Sequence, residues 1–61
     1  MAIRYYFSDE CQGRQAMAKI HNLGYWSFLI KSGLPKGAKI GIECSPLAEG
    51  AIEKEFKDYI L

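Results

Sequence analysis

YWSFLIK, residues 25–31, is aromatic or branched along most of its length, and its reading decides the fold. The run is too short for a stable helix and rich in the side chains that favour a pleated, half-buried surface, so it is read as a strand. A helical pattern precedes it and a loop follows it. The chain therefore crosses over before this strand and reverses after it. Its two sides differ in bulk. Trp26, Phe28 and Ile30 form the larger side, expected to face the core, and Tyr25, Ser27, Leu29 and Lys31 form the side expected to face outward.

Upstream, residues 2–7 alternate, with Ile3, Tyr5 and Phe7 on one side and Ala2, Arg4 and Tyr6 on the other, which reads as a first strand. Ser8 and Asp9 can each cap a helix; Asp9, with Gln12 three positions on, forms a capping-box-like pair, and acidic Asp9 and Glu10 suit the positive end of a helix. The helix that starts there repeats Gly13, Ala16, Met17, Ile20 and Leu23 at helical spacing, and Gly24 supplies its left-handed C-cap. Downstream, SGLPKGAK (residues 32–39) is a turning loop, and KIGIEC (residues 39–44) is a third strand. In that strand Ile40, Ile42 and Cys44 face inward, and Lys39, Gly41 and Glu43 outward. Ser45 before Pro46 starts a last helix, expected to run to about residue 61. Its apolar side carries Leu47, Ala48, Ala51, Ile52, Phe56, Tyr59 and Ile60. The pairs Glu53 with Lys57 and Lys54 with Asp58 are spaced for surface ion pairs. Gly50 is locally unfavourable unless a close contact requires it.

The expected fold is a single α+β domain over residues 1–61, of order βαββα. A β-α-β crossover followed by a hairpin places the third strand between the other two, in an antiparallel sheet of order 1-3-2 with both helices on one face. This arrangement resembles the split βαβ of a ferredoxin-like sheet without its last strand. It puts Cys11 and Cys44 at opposite ends of the sheet, beyond disulfide reach.

Composition narrows the function classes. Eight basic and seven acidic residues among 61 leave a formal charge of +1 with the signs interspersed, which lacks the basic excess of most nucleic-acid and membrane binders. The first ten residues, MAIRYYFSDE, show no signal-peptide core, no run is apolar enough to cross a membrane, and a cytoplasmic location is expected. Homodimerisation is also expected, because a chain this short gains stability from added buried area.

No metal site, cofactor site or catalytic set is expected. The two cysteines form no CxxC, and His21 is the one other soft ligand. Cys11 and His21 lie about 15 Å apart along their helix. A Cys44–His21 pair is conceivable in the fold but has no recognisable orienting acid. GLPKG has neither the spacing nor the helix start of a phosphate loop.

The open sheet face is the remaining candidate, with Arg4, Tyr6, Tyr25, Ser27, Leu29, Lys31 and Lys39 as expected partner-binding residues. The first strand is expected to be an uncovered edge, able to pair with a second copy or with a target strand. The resulting expectation is a small non-enzymatic protein-interaction module, an inhibitor or regulatory subunit. Compact chains of this kind are common among phage regulators, an analogy of fold size only. The alternative is single-stranded RNA or DNA bound on the same face. In architecture it resembles that of RNA-recognition domains, but it lacks their aromatic consensus segment.

Overall fold

The computed structural model describes all 61 residues. β1 (Ile3–Phe7) leads into α1 (Glu10–Asn22), followed by β2 (Ser27–Ile30) and β3 (Ile40–Cys44). A 3-10 turn (Pro46–Ala48) precedes α2 (Glu49–Phe56), and a second one (Lys57–Tyr59) follows it. β3 lies between β1 and β2 and is antiparallel to both, which is the expected βαββα sheet of order β1-β3-β2.

Both ends of α1 are set by local chemistry. The Asp9 carboxylate accepts the Gln12 N–H at 3.1 Å, satisfying one free amide of the first turn. At the other end Gly24 has φ 89°, its N–H donates to the His21 carbonyl at 3.0 Å, and the Tyr25 N–H donates to the Ile20 carbonyl at 3.1 Å. These two bonds make a Schellman motif. Between the caps, Gly13, Ala16 and Ile20 are buried against the sheet. Gly13 lies so close that an added Cβ would run into Ile40 Cγ2 and touch Phe7.

The core joins Tyr5, Phe7, Ile40, Ile42 and Cys44 of the sheet to Ala16 and Ile20 of α1 and to Ala48, Ile52 and Phe56 of the C-terminal segment. Phe7 and Phe56 meet edge to face, with ring centroids 6.2 Å apart.

The structure corrects two sequence expectations that bear on function. The first is the sidedness of β2. Ser27 stands opposite Cys44 and Leu29 opposite Ile42, so both face the helices, whereas Trp26 and Phe28 are exposed on the other side. Bulk suggested the reverse. The second concerns residues 57–61. The last helix stops short, Ile60 becomes extended and forms an antiparallel bridge with Phe7, and the Leu61 N–H donates to the Tyr6 carbonyl at 2.8 Å. The Ser8 N–H in turn donates to the Tyr59 carbonyl at 3.1 Å. The expected uncovered edge of β1 is thus occupied over its C-terminal half.

Smaller differences follow from the same packing. Leu23 and Leu47 are exposed. The two ion pairs expected along the last helix do not form: Glu53 accepts the Tyr5 hydroxyl at 2.9 Å, and Asp58 lies past Phe56, where the α-helical spacing from Lys54 ends. Glu55 pairs with Lys19 of α1 at 3.0 Å.

The two helical glycines separate close packing from local cost. Gly13→Ala is expected to destabilise the protein by about 1–3 kcal/mol through overpacking. Gly50 has nothing within 4 Å of an added Cβ, so Gly50→Ala is expected to stabilise by up to about 1 kcal/mol. Urea denaturation midpoints of the two variants, shifting in opposite directions from wild type, check both.

Candidate binding face

The helix-free face of the sheet is built from two cross-strand rows. In the first, Arg4 of β1, Glu43 of β3 and Phe28 of β2 stand side by side; in the second, Tyr6, Gly41 and Ile30 do. Trp26 adjoins the first row, its ring centroid 5.6 Å from that of Phe28 at an interplanar angle of 44°. Phe28 is 64% exposed and Trp26 42%.

Gly41 decides how Tyr6 lies. A Cβ at this position would sit 2.8 Å from Tyr6 Cδ1 and 3.0 Å from Cε1, so the ring rests against bare backbone in the central strand. Gly41 is buried beneath it. Here the glycine matters for close approach, and its backbone angles are those of an ordinary strand residue.

The face carries little net charge. Arg4 Nε lies 3.0 Å from Glu43 Oε1. The hydrogen bond that Arg4 donates to Glu43, with a smaller contribution from nearby Tyr6, pushes the guanidinium pKa up, so Arg4 stays fully charged and is matched by Glu43.

Of the residues expected to bind a partner, Arg4 and Tyr6 lie on this face, and Lys31 and Lys39 are exposed at the strand ends that flank the loop. Tyr25, Ser27 and Leu29 do not lie there. Tyr25 and Leu29 pack against the core, and Ser27 is buried with its hydroxyl 2.8 Å from His21 Nε2. Trp26, Phe28 and Ile30 take their place. The signal that points to them is Gly24. In a Schellman motif the second residue past the cap usually packs back onto the helix, which turns Tyr25 inward and, by alternation, Trp26 outward.

Three of the remaining reactive groups adjoin one another on the helix side of the sheet, Ser27 standing opposite Cys44 and beside His21. His21 bonds to Ser27, and Cys44 is fully buried with its thiol pKa pushed up by burial. Cys11 is exposed, and both cysteines are free. No three His, Cys, Asp or Glu side chains cluster as a metal site would require. Two open depressions, of about 200 Å³ beside Tyr5 and Glu53 and about 440 Å³ beside Lys19 and Lys54, contain no histidine, cysteine or serine. No helix is long and apolar enough to cross a membrane. Comparison with protein-family models, curated proteins and solved structures finds no match to this chain.

Tyr5, beneath the face, gives a pH signature. Burial first, and then its hydrogen bond to Glu53, push its phenol well above the ordinary value of 10.0. The folded state therefore holds the proton while the unfolded chain releases it. The associated stability is complete below about pH 10 and is lost as pH rises through the folded value, by up to about 1.4 kcal/mol per pH unit. Urea melts of wild type and Tyr5→Phe at neutral pH and above pH 10 check this: the wild type should lose more stability than the variant.

Proposed function

We propose that the chain is a small protein-interaction module, an inhibitor or regulatory subunit, that receives a protein partner on the open face of its sheet. The observation that carries this reading is that Trp26, Phe28, Tyr6 and Ile30 lie together on one face that no element of the chain covers. Fully burying a Phe- or Ile-sized side chain contributes about 1.5–3 kcal/mol, so a partner that covers several has a substantial driving force. Trp, Tyr and Arg are also the side chains that most often dominate binding energy at interfaces. The Arg4–Glu43 pair leaves the middle of the face close to neutral. The partner that fits is a protein presenting an apolar ridge, with polar groups at its margin to meet Arg4, Glu43 and the flanking Lys31 and Lys39.

The three rings also favour a second reading, single-stranded nucleic acid stacked on the sheet. Against it, Glu43 stands in the central strand and already engages the one arginine of the face. Phosphates approaching the rings would meet a carboxylate.

Trp26 is the single tryptophan, so its fluorescence reports directly on coverage of the face. A partner isolated by affinity capture and then titrated in purified form should shift Trp26 emission to the blue. Phe28→Ala and Tyr6→Ala should each weaken binding about tenfold, or about 1.4 kcal/mol, whereas Lys54→Ala on α2 should leave it unchanged. Face variants that bind as tightly as wild type would overturn the protein reading. Binding of labelled single-stranded RNA or DNA that falls steeply with salt and disappears in Trp26→Ala would establish the second reading in its place.

A further inference from the structure

The sheet has two edges, and they are in different states. Along β1, the Tyr6 carbonyl and the Ser8 N–H are bonded to Leu61 and Tyr59. Along β2, no segment of the chain hydrogen-bonds to the outer side. The Ser45 N–H donates to the Trp26 carbonyl at 3.3 Å, so the even-numbered residues of β2 direct their backbone groups toward β3. By alternation, the N–H and C=O groups of Ser27 and Leu29 point away from the sheet, and no other segment of the chain bonds to them.

We propose that this edge pairs with the same edge of a second copy, β2 against β2 and antiparallel, to form a homodimer with one continuous sheet. Hydrogen-bonding parity selects the register. An outward-facing residue must meet an outward-facing residue, and within Ser27–Ile30 one antiparallel alignment engages both from each chain: Ser27 opposite the partner's Leu29, and Leu29 opposite the partner's Ser27. That alignment forms four backbone hydrogen bonds and places the two-fold axis at Phe28.

The side chains agree with this register. On the open face Phe28 meets the partner's Phe28, and Trp26 meets the partner's Ile30, so the exposed Phe28 and Trp26 and the half-buried Ile30 stand in cross-strand contact. Charge does not oppose it. The strand Ser27–Ile30 carries neither the lysine nor the proline that commonly protects an exposed edge, and the nearest charge, Lys31, lies opposite the partner's Tyr25 and away from the partner's Lys31. The assembly is also closed. A two-fold contact uses the β2 edge of both copies, so that edge has no place for a third copy, and the β1 edge is occupied over its C-terminal half by the chain itself.

Light scattering on a size-exclusion column, over a concentration series, should give twice the monomer mass. Because Phe28 faces itself across the axis, Phe28→Lys and Phe28→Glu should each weaken the dimer at least tenfold when alone, and an equimolar mixture should form a heterodimer. Phe28 is largely exposed, so both variants are expected to retain the wild-type far-ultraviolet circular dichroism. In a Cys11→Ser background, mild oxidation should crosslink Phe28→Cys and leave Tyr6→Cys uncrosslinked. A wild type that remains monomeric throughout, charge variants that dimerise as well as wild type, or a mixture that does not recover the dimer would overturn the proposal. Tyr6→Ala, on the far strand, should leave the dimer mass unchanged, which separates this contact from partner binding on the face.

Discussion

Tyr25 donates its backbone N–H to the Ile20 carbonyl one turn back, and this bond, together with the left-handed Gly24 before it, sets the direction in which the chain leaves α1. A strand has only two sides, so fixing Tyr25 toward the core fixes every residue after it. Ser27 and Leu29 follow it inward, and Trp26, Phe28 and Ile30 turn to the open face. The helix cap therefore determines which surface the molecule offers to others.

Packing beneath α1 agrees with that choice. The helix approaches the sheet closely because Gly13 and Ala16 present almost no side chain, and the sheet below its C-terminal end is lined by Ser27 opposite Cys44. Turning β2 over would place Phe28 and its neighbours in this tight layer, where overpacking costs about 1–3 kcal/mol, and would break the cap bonds as well. The buried Ser27 hydroxyl is satisfied by His21, reaching down from the last turn of α1. His21 thus has a structural partner, and the small polar residue can sit where bulk alone would have placed a ring.

Face and edge have separate consequences. On the face, Tyr6 lies over Gly41 and the Arg4–Glu43 pair crosses from β1 to β3, so the groups proposed to meet a partner are held by the sheet. At the edges, the chain treats its two outer strands differently. Tyr59 to Leu61 fold back along β1, and nothing folds along β2. The proposed protein contact and the proposed self-pairing use adjoining surfaces of β2 without excluding each other. Pairing at the edge leaves the helix-free face open and extends it across two copies.

Local signals in the chain determined the element order, the caps at Asp9 and Gly24, the alternation of β1 and β3, and hence the βαββα sheet with β3 in the middle. Each of these depends on neighbouring residues: a carboxylate three positions from an amide, a glycine free to adopt positive φ, apolar side chains at a period of two. Tertiary structure decided the sidedness of β2 and the fate of residues 57–61. Both depend on contacts distant in sequence. Ser27 is acceptable inside because Cys44 and His21 are beside it, and Ile60 leaves the helical pattern because Phe7 and Tyr6 offer ladder partners. Bulk in YWSFLIK measures how much apolar surface there is to bury. Which side is buried depends on the space under α1 and on the bond from Tyr25 to Ile20.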